Sequence, residues 1–173
     1  EDHIVTRWPE VNHDGGVPFG SAQTTPAFNI PAKKIVHAIG PMRGMPPAFD
    51  DKLRLTALTY QNVFNAVDRE GLCTVACTAL GTGLAGVPAA ASARMCMQAI
   101  ATWLAAHLRA DGLAWAASKQ VMLVCFDAPV GDAHHVARVA LLRACLRPAW
   151  DAAAREALVR SGSADEDPQC TVQ

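Results

Sequence analysis

Thr74-Val-Ala-Cys-Thr-Ala-Leu-Gly-Thr-Gly-Leu-Ala-Gly-Val-Pro88 is the stretch that decides how this chain is read. It opens as a short apolar run from Thr74 to Leu80. It becomes a glycine-rich turn, Gly81-Thr82-Gly83-Leu84-Ala85-Gly86. It reaches Pro88, which suits the first position of a helix because the N–H it lacks would be unpaired there. Met95, Ala99, Ile100, Trp103 and Leu104 follow at helical spacing. A strand, a glycine turn and a helix N-terminus in that order make an anion site. Backbone N–H groups converge, the helix dipole favours negative charge, and glycine removes the Cβ that would keep a phosphate away. The stretch points to a phosphate or diphosphate held mainly by backbone. The plainer alternative is a strand-to-helix connection that needed small residues.

The flanking chain alternates in the same way. Leu53, Ala57, Tyr60, Val63, Phe64 and Val67 predict a helix that Asp50 or Asp51 can cap and Gly71 can end. Before it, Lys34 to Ile39 reads as a strand ended by Gly40-Pro41, and Gly20 to Thr25 as a short polar strand. His37 in that strand is read as a hydrogen-bonded core residue ahead of a ligand contact. Residues 1–10 read as the end of a helix stopped near Pro9. Asn12 to Gly16 is turn chemistry, in which a catalytic role for His13 or Asp14 competes with an ordinary loop. Downstream, Asp111-Gly112 closes the helix that starts at Pro88. Gln120 to Phe126 is an apolar run expected to be buried on both faces. Asp132 can cap a further helix stopped by Pro148, and Trp150 to Leu158 predicts another. Residues 1–160 read as one domain and 161–173 as a flexible acidic tail. With no initiating methionine, the chain reads as a piece of something longer.

The alternation predicts an α/β protein with helices on both faces of a sheet and ligands at the carboxyl ends of the strands. The ends near Gly40, at Gly81 and at Phe126-Asp127 are candidates to line one site.

Composition narrows the function. The chain is half apolar, and its 15 Lys+Arg balance 16 Asp+Glu, which argues against a strongly basic nucleic-acid surface. Of six cysteines, Cys73, Cys77, Cys96, Cys125, Cys145 and Cys170, five fall in apolar runs and none forms a C-x-x-C pair. They read as buried reduced thiols. His134-His135 is a doublet at the start of a helix and reads as solvated. No residues have metal-ligand spacing, so neither metal nor cofactor is assigned. No signal peptide or membrane-length apolar run is present, and a cytoplasmic location is expected. Gly81-x-Gly83-x-x-Gly86 matches the dinucleotide fingerprint literally. However, the next strand ends at Asp127, about twice the ~20 residues at which the ribose-binding acid should fall. A P-loop is excluded more firmly, since no Gly-Lys-Ser/Thr follows the turn.

From about Gly20 to Leu146 the chain resembles a macro domain, the ADP-ribose-binding fold. Gly20-Ser-Ala-Gln-Thr-Thr and Asn29-Ile-Pro-Ala-Lys-Lys-Ile-Val-His-Ala-Ile-Gly-Pro41 are similar to that family's G-x-A-x-x-T and N-L-P-A-K-x-V-I-H-x-V-G-P segments. Ala76 to Pro88 is similar to its ligand loop, and Val121 to Asp127 to its last core strand. The resemblance implies a three-layer α/β/α fold with a mixed, largely parallel central sheet. It implies that Gly81, Thr82, Gly83, Leu84, Ala85 and Gly86 wrap the diphosphate and distal ribose. Thr78 and Leu80 would lead into the loop, Phe126 would pack on adenine, and Asp127 would complete the set. The family's Asn-Ala-Asn segment and first strands have no counterpart here, and Ala85 stands where active members carry an aromatic. The catalytic residues are therefore left unassigned. The expected function is binding of ADP-ribose, free or on modified proteins, with removal of mono-ADP-ribose from Asp or Glu. The alternatives are a binding-only reader and a structural or RNA-associated module of a larger polyprotein, as in positive-strand RNA viruses. No membrane partner is expected, and the oligomeric state is left open.

Overall fold

The computed structural model describes residues 17–41, 49–125, 128–141 and 151. Strand β1 (Ala22–Pro26) pairs antiparallel with β2 (Lys34–Ala38), Ala22 facing Ala38 and Pro26 facing Lys34. β1 starts two residues later than expected and ends one residue later, at Pro26, because a proline is tolerated where a strand ends and no ladder donor is needed. Helix α1 (Phe49–Arg69) carries Asp50 and Asp51 inside its first turn rather than at its cap, where they still complement the positive end of the dipole. Gly71 ends the helix at φ +63°, and the N–H groups of Gly71 and Leu72 bond back to Asp68 and Val67.

Next come β3 (Thr74–Thr78), α2 (Ala89–Ala110), a short α3 (Gly112–Ala117), β4 (Gln120–Val124) and α4 (Ala128–Leu141). The pattern gives no hint of α3. α4 starts ahead of its expected cap, Asp132, because Pro129 in a first turn gives up no hydrogen bond. β3 and β4 pair parallel, Thr74 facing Gln120 and Thr78 facing Val124. A parallel pair needs a long crossover, here α2 and α3. The fold is mixed α/β. Among the described residues no ladder joins the two strand pairs.

α2 lies at the centre. Its Cys96, Met97, Ile100 and Trp103 pack with Tyr60, Phe64 and Val67 of α1, Val75 and Cys77 of β3 and Ala137 of α4. Phe64 stacks on Trp103 with ring centroids 5.2 Å apart. Alanines on α2 let its neighbours approach closely, so a helix with few aromatics still closes a dense core. On β3, Val75 and Cys77 turn inward while Thr74, Ala76 and Thr78 are exposed. β4 departs from its expected burial on both faces, with Met122 45% and Val124 53% exposed. A continuous apolar run is compatible with one buried face, and here only the face carrying Val121 and Leu123 meets the core.

Cys77 and Cys96 are buried free thiols, as expected, whereas Cys73, on the turn before β3, is exposed. His134 is buried rather than solvated, because it lies one turn before the buried Ala137 of α4, while His135 is exposed. Residues 1–16, with His13 and Asp14, lie outside the described residues, as do Cys145, Cys170, the tail and nearly all of the Trp150–Leu158 segment.

Two polar clusters fasten the end of the molecule away from the glycine turn. The Thr24 hydroxyl donates to Glu70 Oε1 at 2.6 Å, and Lys34 Nζ is 2.9 Å from Glu70 Oε2, tying α1 to the β1–β2 pair. The Thr24 bond and the Lys34 ammonium hold the Glu70 carboxyl below its usual range. The second cluster is built on His107. Its Nδ1 is 2.6 Å from Asp111 and its Nε2 2.7 Å from Asp68, which also accepts the Trp103 indole N–H at 2.7 Å. The His107 ring stacks on Trp115 at 4.0 Å, and Lys119 lies over the indole of Trp115 at 4.7 Å. Partial burial pushes the His107 pKa down, but the bonds to Asp111 and Asp68 outweigh it and raise it above 6.5. The folded state therefore favours imidazolium. Its contribution is fully present below pH 6.5 and is lost as pH rises through the raised value. The urea midpoint should fall over that window. The difference between the parent and His107→Gln should shrink with it, and a difference constant with pH would contradict the assignment.

Candidate functional site

The turn that follows β3 folds back on itself with two backbone bonds. Gly86 N–H donates to Gly83 O at 3.0 Å, and Val87 N–H donates to Gly81 O at 2.9 Å. The Thr82 hydroxyl donates to Ala79 O at 2.9 Å and braces the entry. Gly81 has φ +77° and Gly86 φ +71°, so two left-handed residues reverse the chain. The space over Gly81 is closed, since an added Cβ would lie 2.8 Å from the buried Val87 side chain and 3.4 Å from Thr56 Oγ1. The space over Gly83 is open, with nothing within 4 Å.

These bonds leave the N–H groups of Gly81, Thr82, Gly83, Leu84 and Ala85 without an acceptor among the described residues. The turn runs straight into α2. Pro88 is the cap residue of that helix, no side chain caps it, and no acidic residue lies in its first turn. From Gly71 to Ala110 the chain contains no Asp or Glu. Unspent donors, a helix N-terminus and the absence of negative side chains together make a site for an anion.

The predicted positions fall around it as follows. Thr78 ends β3, exposed and paired with Val124. The Leu80 side chain packs on the core. Leu84 is 86% exposed at the tip, and Ala85 is half-buried. Phe126 and Asp127 lie outside the described residues. Two of the three expected strand ends do converge, because both rest on the first half of α1. Thr56 lies beside Gly81, while the Thr59 hydroxyl, whose proton goes to Leu55 O at 2.7 Å, lies 3.5 Å from Ile39 O, where β2 gives way to Gly40. The pairing of Thr78 with Val124 brings the end of β4 beside them. His37 is fastened sideways to Thr25 Oγ1 at 2.9 Å, as a structural residue would be. No group of three or more His, Cys, Asp or Glu is placed to hold a metal among the described residues.

The sequence pattern misses a buried hydrogen-bond ring under the turn. Leu80 N–H donates to Tyr60 Oη at 2.8 Å, Tyr60 Oη is 2.8 Å from Ser92 Oγ, and Ser92 donates to Leu80 O at 2.7 Å. A tyrosine hydroxyl and a serine on helix faces otherwise given to apolar residues were the available signal.

Comparison with known proteins shows the family and the fold. The chain is 34% identical over 109 residues to an O-acetyl-ADP-ribose deacetylase of Cronobacter sakazakii, covering 62% of this chain and 54% of that protein. It is 32% identical over 117 residues to O-acetyl-ADP-ribose deacetylase 1 of Pantoea vagans, covering 68% and 63%. The chain thus spans little more than half the length of these relatives. Among solved structures, the Oceanobacillus iheyensis macrodomain with ADP superimposes with a TM-score of 0.65 at 23% identity, over 81% of this chain and 67% of that one. The profile of the Macro domain family matches residues 6–96, more than half of the chain, and the chain belongs to that family.

Proposed function

We propose that this chain binds ADP-ribose, with the diphosphate seated on the Gly81–Ala85 amides at the N-terminus of α2, and that it acts on esters of the distal ribose. One observation carries the binding: consecutive unspent N–H donors abut an uncapped helix N-terminus in an acid-free stretch. A diphosphate has the charge and acceptor density that such a cradle takes, and charged acceptors strengthen each bond.

The reaction rests on the relatives, which are named as deacetylases of O-acetyl-ADP-ribose. In that reaction water adds to the acyl carbon, the bond from that carbon to the ribose oxygen breaks, the ribose oxygen takes a proton and leaves as ADP-ribose, and the acyl group is released as acetate. Release of mono-ADP-ribose from a modified Asp or Glu is likewise an ester hydrolysis. In either case the turn would hold the ligand while geometry and backbone electrostatics favour attack by water. A binding-only reader is favoured by a different observation, that the Gly81–Gly86 turn contains no carboxylate, imidazole or thiol.

Calorimetric titration tests the binding that both readings share. ADP-ribose is expected to bind with one site per chain, and AMP, lacking the second phosphate, at least tenfold more weakly. Absence of heat and of competition by ADP would overturn the binding reading. Release of acetate from O-acetyl-ADP-ribose then distinguishes enzyme from reader.

A further inference from the structure

We infer that Tyr60 and Ser92 are positioning residues for the anion-binding turn, aiming its first amide at the ligand through the hydrogen-bond ring that holds Leu80. The inference rests on the ADP-ribose reading for its ligand, but the geometry stands on its own.

Proton bookkeeping fixes the direction of the ring. Leu80 N–H can only donate, and it donates to Tyr60 Oη at 2.8 Å. Leu80 O can only accept, and the Ser92 hydroxyl at 2.7 Å supplies the proton. Ser92 has then spent its one hydrogen, so the 2.8 Å contact between the hydroxyls runs from Tyr60 to Ser92. Every donor has an acceptor in a closed circuit. Both side chains are 0% exposed, so water cannot take over either role. Burial also raises the Tyr60 pKa well out of the neutral range, which keeps its proton in the ring.

The consequence lies one peptide further on. Leu80 C=O and Gly81 N–H belong to the same trans peptide, in which the two groups point in opposite directions. Ser92 draws the carbonyl inward to the core, so Gly81 N–H faces the other way, out of the core. That N–H is the first of the unspent donors. Ser92 lies in the helix whose N-terminus flanks the same site, and its own N–H bonds to Pro88 O at 3.0 Å. Tyr60 adds α1. The ring thus registers the turn against both helices, and the glycine that follows would otherwise leave this peptide free to rotate.

The test uses Tyr60→Phe and Ser92→Ala, with ADP-ribose affinity measured by calorimetry, amide resonances recorded without ligand and folding checked by circular dichroism. Folded variants are expected to bind about tenfold more weakly, as for a hydrogen bond lost and a donor misdirected. The Gly81 and Thr82 amide resonances should shift in ligand-free protein while those of the β1–β2 pair stay in place. A merely structural role lowers the unfolding midpoint and leaves the affinity of the folded fraction and these resonances unchanged, which would overturn the inference. Ser92→Ala removes one oxygen from a helix and adds no bulk, so it reports even if Tyr60→Phe unfolds. A parent that binds no ADP-ribose, with Gly81 still moved in the variants, would overturn the ligand and leave the positioning role in place.

Discussion

Gly83→Val is expected to weaken ADP-ribose binding at least a hundredfold while leaving the unfolding midpoint unchanged. Gly83 is exposed, its φ lies outside the left-handed region, and an added Cβ meets nothing within 4 Å. The folded protein therefore has open space for a Cβ at this position, and the exposed turn leaves room for the branched side chain beyond it. The ligand does not, because the branched side chain stands at the middle of the donor run from Gly81 to Ala85, where a phosphate oxygen must come within hydrogen-bond distance of backbone. Losing two bonds to a charged acceptor, at about 1.5–3 kcal/mol each, accounts for a hundredfold or more. Calorimetry of the variant beside a urea titration checks both halves. A valine variant that binds like the parent would move the diphosphate away from this turn.

Gly81→Ala is expected to act in the opposite way, on the fold first. The residue sits at φ +77°, and its Cβ would lie 2.8 Å from Val87 Cγ2 and 3.2 Å from Val87 Cβ. Val87 is 3% exposed, so it has nowhere to go. The left-handed conformation costs about 1–2 kcal/mol for a residue with a Cβ, and overpacking costs about 1–3 kcal/mol. The sum predicts a loss of about 2–5 kcal/mol in a urea titration, a large share of the stability of a small domain. Gly86→Ala serves as the internal comparison. Its φ is similar, +71°, but its Cβ would meet nothing within 4 Å, so only the conformational cost remains. Equal losses at the two glycines would mean that the contact with Val87 does not resist compression.

These effects depend on a turn whose outline was legible in the sequence. Glycine spacing, Pro88 and the helical recurrence from Met95 onward located the strand, the turn and the helix start, because each is a local backbone preference. The same holds for α1, whose apolar face from Tyr60 to Val67 enters the core. What was not legible depends on partners distant in sequence. The contact of Tyr60 with Ser92 spans 32 residues, and that of Asp68 with His107 spans 39. No periodicity announces which polar atoms will meet when two helices cross. The run Gln120–Phe126 misled for a related reason. Apolar content says that a strand can be buried but not on how many sides, and β4 leaves Met122 and Val124 in the open. Two element ends fell at prolines the pattern did not include, β1 running on to Pro26 and α4 starting ahead of Asp132 with Pro129 in its first turn, because a missing N–H removes no required bond at either position.

The recognition surface proposed for this chain consists of main-chain amides, and amides do not titrate. No side chain of the Gly81–Gly86 turn changes charge in the neutral range, so the pH dependence of ligand affinity should follow the ionisation of the ligand alone. The His107 cluster, at the other end of the molecule, carries a proton-linked share of the stability. Acidity therefore tunes how firmly this chain stays folded without changing what its binding turn offers to a phosphate.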